Sequence, residues 1–441
     1  MQVIREIIEY VWFIVRCLLV AIVDLYIMYA RVGLVWRRRR NRHASMERLD
    51  LVMQLAPQSP VHSRISLSDM ILVLNESFLD RSLWKGLNSS GAQPSAIVTG
   101  VSYGGIGFYT ILHLILSGFT VHGICRSLKS MDRAVHMIQR AVERQGKLHK
   151  EWVGKIGRLI PHVCDLSDTI AVSNLSSALL RDPNIRVLVC NAGTSAIPPR
   201  LSPQRLDQQL ATQHIGHSLL MLRLLQHRLQ ERNVPLSLWP YWRFVVVSCA
   251  AAGAIDPTGE NVFMTHDAAS DFKTTTIDKY SACSRAEMCR ILFALALSRF
   301  INNENRLADY CTVNIVHPGP ARSRIFLNSS LPFATLLDSE ATALFRISPV
   351  VAALYITDLC LNKRVEKMNG HYFRMGEDQT IQFAALQKNV KERMGSWVNS
   401  PLFRGIPQPA LCLSTRKQDE LWRLTLSYFL SRGLLESKVF H

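Results

Sequence analysis

Residues 97–107 read IVTGVSYGGIG: an apolar run closes in a glycine-rich turn, and a second apolar run with helical spacing, 108–116, comes at once after it. That order leaves few folds open. A buried strand, a tight turn and a helix in succession form the opening of a dinucleotide-binding unit. There the glycines let the backbone approach a pyrophosphate, and the first helical turn offers unpaired N–H groups and the positive end of its dipole. Thr99, Gly100, Ser102, Gly105, Ile106 and Gly107 are the positions expected to face the phosphates. A turn of this kind also occurs without a ligand, so the decision rests on the later motifs of the chain and on their spacing.

Short apolar runs rich in β-branched residues recur at 96–99, 120–125, 159–164, 187–190, 244–249 and 312–317, with helical patterns between them. Strands covered on both faces read as continuous apolar runs, and their alternation with helices is the signature of a doubly wound parallel sheet. The fold expected is therefore α/β, of Rossmann type. The chain of 441 residues carries a formal net charge of +17. Much of it is dispersed, but residues 37–40 are all arginine and Arg42 is close behind, directly after the predominantly apolar residues 7–36. A polybasic block beside an apolar segment points to a membrane surface before it points to nucleic acid. Arg16, Asp24 and Arg31 interrupt the segment. Three readings stand: a membrane-anchor helix, which we favour, an interfacial amphipathic helix, and a buried soluble helix. Positive charge after the segment puts the remainder of the chain on the cytoplasmic side. The ten cysteines are scattered, without zinc-ligand spacing, and Cys164, Cys190 and Cys249 sit inside apolar runs. Reduced, buried thiols and no metal site are expected. The organisation expected is an anchor with its basic flank (1–42), a spacer (43–95), the α/β domain (96–384) and an extension (385–441) ending in a closing helix over 421–430.

The order of motifs resembles the short-chain dehydrogenase/reductase family, and most closely its membrane-anchored, retinol-dehydrogenase-like branch. TGVSYGGIG (99–107) resembles the family's TGxxxGIG turn with one residue more, Gly100, Gly105 and Gly107 being the nearest equivalents. CRS (125–127) closes the second strand run; an acid here would hold a ribose 2′-hydroxyl, whereas Arg126 suits a 2′-phosphate through its paired N–H donors. The cofactor implied is NADP (NADPH), with NAD less favoured. CDLSD (164–168) resembles the pair that contacts adenine, with Asp165 as the equivalent, and CNAG (190–193) resembles NNAG, matched at Asn191, Ala192 and Gly193. QHIGHSLL (213–220) resembles NHxGHFLL, with Gln213 in place of the asparagine that helps hold a water in a proton relay; His214 and His217 match structural positions. HPGPARS (317–323) resembles the PGxxxT loop, so Pro318, Gly319 and Ser323 are expected at the nicotinamide carboxamide. GHYF (370–373) resembles the branch's GKYF.

The resemblance departs where the chemistry is densest. A hydride moves between the nicotinamide and a carbonyl or alcohol carbon while a proton moves to or from the oxygen, and a tyrosine handles that proton when positive charge draws its pKa down from about 10. KYSACSRAEM (279–288) supplies the tyrosine as Tyr280, but the family's lysine position, one turn later, holds Ser284 and the next residue is Arg285. Five residues turn a helix by about 500°, so Arg285 leaves the tyrosine's face unless a bulge restores it. RFVVVSCAAAG (243–253) resembles the strand that delivers the catalytic serine, with Ser248 first and Cys249 in the serine's own place. Successive strand side chains face opposite ways, which excludes Ser248 unless the register slips.

The function implied is an NADP-dependent oxidoreductase acting on a small lipophilic carbonyl or alcohol (a retinoid, a steroid or a fatty aldehyde). It would work at a membrane, the endoplasmic reticulum by default, with the catalytic domain in the cytosol. The alternative is a catalytically impaired NADP-binding scaffold or sensor. The family's common homodimer, through the helices beginning near Gln213 and Tyr280, is the oligomer to expect, and nucleic acid is not an expected partner.

Overall fold

The computed structural model describes residues 92–148, 156–195, 200–231, 240–254, 279–323, 346–375 and 412–440, with single positions 83, 197, 198, 325, 377 and 378. The expected anchor and most of the spacer lie outside the described residues. Among the described residues no helix is long and apolar enough to cross a membrane.

The apolar runs form strands β1 (Ser95–Thr99), β2 (Thr120–Cys125), β3 (Leu159–Val163), β4 (Ile185–Cys190), β5 (Trp242–Val247) and β6 (Cys311–His317), and beyond them come β7 (Tyr372–Arg374) and β8 (Glu377–Asp378). The sheet order is β3-β2-β1-β4-β5-β6-β7-β8. Every pair from β1 to β7 is parallel, and β8 turns back antiparallel on β7. Chain order reverses between β1 and β4, so a crevice opens there beyond the carboxyl ends of the strands. Several expected strand limits move by one or two residues. Ser95 is already in β1, and β5 stops at Val247, so Ser248 and Cys249 lie past the strand. Strand alternation therefore does not reach Ser248 and Cys249 and cannot rank them.

Helices cover both faces. On one lie α1 (Ile106–Leu116), α2 (Leu128–Leu148) and α6 (Pro349–Leu361), with Leu83 of the spacer buried in the same core. On the other lie α3 (Thr169–Leu179), α4 (Gly216–Gln230), α5 (Lys279–Asn303) and α7 (Thr415–Leu430). Strand residues divide accordingly: Phe244 and Val246 pack beneath α4 and α5, while Val245 and Val247 face α6. The closing helix α7 belongs to this body. Trp422 stacks on Phe293 and Phe300 of α5, with centroids at 5.4 and 5.3 Å. Thr425 Oγ1 meets His214 at 3.0 Å, and the α4 residue Gln226 accepts the Glu436 N–H at 2.8 Å. Helix α7 thus packs on α5, and the segment after it reaches α4.

The entry to α4 is built in three pieces. Asp207 caps a short turn, Gln208–Leu210, by accepting the Gln209 and Leu210 N–H groups. A π turn, Ala211–Ile215, comes next and runs into α4. At Gly216 a Cβ would come within 2.1 Å of the Leu166 carbonyl, so α4 reaches the loop after β3 only with glycine there. The nine described cysteines are free and all but Cys249 are buried.

Candidate active site

The turn after β1 sits at the topological switch point and is fixed from beneath. Thr99 Oγ1 accepts the Asn191 and Ala192 N–H groups, both at 2.9 Å, and Asn191 Nδ2 donates back to the Thr99 carbonyl at 2.8 Å. Gly100 N and Val101 N donate to the Ile124 carbonyl at the end of β2. Gly100 has φ +78, and a Cβ on it would stand 2.7 Å from Ala192 Cα; on Gly107 it would stand 2.6 Å from Asn191 Nδ2. Gly104 has φ +79, and a Cβ on it would meet no atom within 4 Å. Its neighbour Tyr103 is held edge-on to Phe108 and beneath the Arg133 guanidinium, 4.7 Å away. Gly105 is the N-cap of α1 and has no side chain to cap it, so no side chain of the cap residue takes the first-turn N–H groups. Close glycine packing, open space above Gly104 and an uncapped helix start fit a pyrophosphate. The residues that would hold it are Gly100, Ser102, Gly105, Ile106 and Gly107.

Around this cradle, Arg126 is exposed just past β2. Asp165 turns its carboxylate onto the Ser167 N–H, at 2.9 Å, which shapes the loop after β3. Gly193 is exposed, Pro318 and Gly319 are buried after β6, and Ser323 is half-buried. Gly319 has φ +93, and Arg322 N bonds to the Ile347 carbonyl, which fixes that loop's exit. Thr99, Gly100, Asn191 and Ala192 thus act as one unit; Thr99 and Asn191 shape the cradle from below.

The second half of the site lies where β4 and β5 end against α5. Helix α5 is α-helical throughout Lys279–Asn303. No bulge brings Arg285 round to the tyrosine's face, and its charge instead reaches Asp207, where it opposes the upward push of burial on that carboxyl. Tyr280 lies in the first turn of α5, and its side chain is outside the described set. Ser284 is buried, and its Oγ makes no hydrogen bond; the same holds for Ser248 Oγ. Cys249 is half-buried. Burial first, then the Glu287 carboxylate and Cys283, push its thiol well above the usual range, and Arg290 pulls the other way.

Gln213 is tied at every polar atom. Its Oε1 accepts from Thr194 N and Oγ1, at 3.3 and 3.1 Å, and its Nε2 donates to Glu287 Oε1 at 2.7 Å. Its main-chain carbonyl, turned out by the π turn, accepts Arg290 Nε at 3.0 Å. Arg290 also donates from Nη1 to the Val247 carbonyl at 2.6 Å and from Nη2 to the Ala192 carbonyl, and it pairs with Glu287 at 3.3 Å. His217 completes the network. Its Nδ1 lies 3.1 Å from both the Gln213 carbonyl and Arg290 Nη2, and its Nε2 lies 2.8 Å from Thr99 Oγ1. Burial, then Arg290, hold His217 well below its ordinary pKa and His214 at about 3, so both rings are neutral. A continuous buried chain of hydrogen bonds therefore links the phosphate turn to α5. Sequence reasoning missed Glu287 and Arg290. Their signal is three-residue spacing on a helix whose remaining face is apolar, which a solvated charge pair shares.

Among described residues, no group of histidine, cysteine and carboxylate side chains is placed to hold a metal. No family model matches the chain. Curated relatives do. Human retinol dehydrogenase 14 is 26% identical over 317 residues, covering 71% of this chain and 86% of that protein. Human retinol dehydrogenase 13 is 23% identical over 344 residues, covering 75% and 92%. Human WW domain-containing oxidoreductase is 30% identical over 228 residues, covering 51% and 48%. The class that fold and relatives define is a hydride-transferring oxidoreductase on a Rossmann-type sheet. Within that class, the chain is similar to the retinol-dehydrogenase-like branch of the short-chain dehydrogenase/reductase family.

Proposed function

We propose that this chain is an NADP-dependent oxidoreductase that moves a hydride to or from a lipophilic carbonyl or alcohol (a retinoid, a steroid or a fatty aldehyde). In this reading residues 1–42 hold it at the endoplasmic reticulum membrane, with the α/β domain in the cytosol. The observation that carries the reading is the phosphate turn locked on Asn191, with Arg126 exposed at the neighbouring strand end and no acid in its place. A guanidinium there pairs with a 2′-phosphate and gains nothing from a bare hydroxyl. Retinol, in the names of two relatives, is a lipophilic alcohol, which supports the substrate class. A bound nicotinamide would supply or take the hydride; Tyr280 would handle the proton, and Cys249 and Ser248, just past the end of β5, would border the substrate oxygen. The homodimer expected through the helices beginning near Gln213 and Tyr280 remains part of this reading.

A second reading rests on a specific observation: Ser284 stands where the family's lysine grips the nicotinamide ribose, and α5 brings no other lysine to that turn. In that reading the protein binds NADP without turnover. Cofactor titration and turnover of the full-length chain in lipid vesicles separate the two, with retinaldehyde, steroid ketones and long-chain aldehydes as substrates. Our reading expects NADPH to bind about tenfold or more tighter than NADH, a preference worth about 1.4 kcal/mol that Arg126→Ala removes. It also expects NADPH oxidation with at least one substrate class. Equal binding of the two cofactors would refute the NADP assignment; tight NADPH binding with no turnover on any substrate would favour the second reading.

A further inference from the structure

Large apolar side chains left in water are few among the described residues, and most of them share one place. Leu128, Val163, Ile170 and Leu201 are each between 50% and 63% exposed, and among the described residues only Leu413 joins them. Their positions converge at the carboxyl end of the β3 edge. Val163 is the last residue of β3 and pairs with Cys125, the last of β2, while Leu128 opens α2 three residues after Cys125. Ile170 lies in the first turn of α3, the helix that comes after β3. The segment with Leu201 is tied to that same turn. Gln204 Oε1 accepts the Thr169 N–H at 3.1 Å, Gln204 Nε2 donates to Asp168 Oδ1 at 2.9 Å, and Leu201 bridges to Asp207. Cations rim the patch: Lys129 adjoins Leu128, Arg200 adjoins Leu201, and Arg205 ends the same loop. Together with Arg126 and Arg133 they are all exposed. Against these five stand three carboxylates: Asp132, exposed on α2, and Asp165 and Asp168, both half-buried and bonded to N–H groups. Strand β3 is the outermost of the sheet, and the phosphate turn stands two strands inward, at β1.

We propose that this end of the sheet docks the α/β domain on an anionic bilayer surface, with Leu128, Val163, Ile170 and Leu201 entering the lipid and Lys129, Arg200 and Arg205 meeting its headgroups. This rests on the membrane placement proposed above and adds which side of the domain faces the lipid. A bilayer interface uses both parts of the patch: cations pair with lipid phosphates, and aliphatic side chains enter the boundary between headgroups and acyl chains. Nucleic acid would use the cations and leave four aliphatic side chains in water. A second copy in an isologous contact would bring the same cations face to face. The anchor by itself does not orient the domain. The chain between residue 42 and the buried Leu83 reaches up to about 140 Å when extended, enough for any side of the domain to meet the bilayer. The patch supplies the orientation. With it against the lipid, the crevice beyond the carboxyl ends of the strands opens beside the bilayer, where a lipophilic substrate is dissolved.

The test reconstitutes the full-length chain in vesicles of equal parts phosphatidylserine and phosphatidylcholine, the former carrying a photoreactive diazirine on an acyl chain. Irradiation followed by mass spectrometry maps which peptides acquire lipid. Adducts are expected on the peptides that hold Leu128, Val163 with Ile170, and Leu201. In Lys129→Gln/Arg200→Gln/Arg205→Gln these adducts are expected to fall at least about fivefold, since one cation at an anionic surface is worth about that factor, while adducts within residues 1–42 persist. Leu128→Ser/Leu201→Ser is expected to lower them too and to leave NADPH affinity unchanged, with circular dichroism confirming that both variants fold. Adducts confined to residues 1–42, or patch adducts that the charge variant leaves undiminished, would overturn the proposal. So would a loss of NADPH affinity in the leucine variant, which would assign the patch to the cofactor. A wild-type dimer that the leucine variant dissociates in sedimentation velocity would assign it to a second copy and overturn the proposal as well. A chain that does not bind the vesicles would overturn the proposal and the membrane placement together. Patch adducts with none in residues 1–42 would count against the anchor alone, and patch adducts without turnover against the oxidoreductase reading alone.

Discussion

Gly100 carries the tightest steric requirement in the cofactor cradle. Its φ of +78 lies in the left-handed region, and a Cβ would stand 2.7 Å from backbone Cα of Ala192, which cannot move without breaking the Thr99–Asn191 lock. Gly100→Ala is expected to cost about 2 kcal/mol or more, from left-handed strain plus displacement of the turn, and to weaken NADPH binding with it. Urea unfolding and NADPH fluorescence titration check both; a variant of unchanged stability and affinity would contradict the packing. Glycines and the asparagine of this lock were legible in the sequence because each is nearly the only residue type that meets its local constraint. Glu287 and Arg290 were not legible, because a charged pair three apart on a helix looks the same whether it faces water or the end of a sheet. Ser248 and Cys249 were misjudged for a related reason: an alternation rule holds only as far as the strand does, and β5 ends one residue earlier than Ser248.

At the scale of elements, the strands were legible because each is a short apolar run flanked by helical patterns, and burial on both faces admits little else. The π turn 211–215 was not, since its apolar spacing reads as ordinary helix. The closing helix is legible as a helix; the surface it covers is decided by tertiary packing alone. Trp422 stacks on both Phe293 and Phe300 of α5, Thr425 of α7 bonds His214 in the π turn, and Glu436 beyond α7 bonds Gln226 of α4. Truncation by Trp422→Ala is expected to cost about 3 kcal/mol, through lost aromatic contact and an incompletely filled space. Urea unfolding reads the stability; an unchanged midpoint would show that α7 adds little to the body.

For the molecule as a whole, buried histidines tie stability to pH. Burial holds His113 and His214 at about 3 and His162 at about 4, against 6.5 for an exposed ring. Above pH 6.5 folded and unfolded chains bind the same number of protons at these sites. Below it the unfolded chain takes up protons that the folded one refuses, so stability is lost as pH falls from 6.5 toward 4, by up to about 1.4 kcal/mol per site per pH unit. Urea midpoints are therefore expected to drop between pH 7 and pH 5, and His214→Gln is expected to flatten the slope; a midpoint independent of pH over that interval would contradict the buried, neutral assignment. The central claim concerns hydride transfer with Tyr280 as proton donor. Its most direct measurement is NADPH oxidation by the full-length chain with retinaldehyde, steroid ketones and long-chain aldehydes, beside Tyr280→Phe. The account predicts turnover that Tyr280→Phe abolishes while NADPH binding persists. Turnover that survives in Tyr280→Phe, or none in the wild type with NADPH bound, would contradict it.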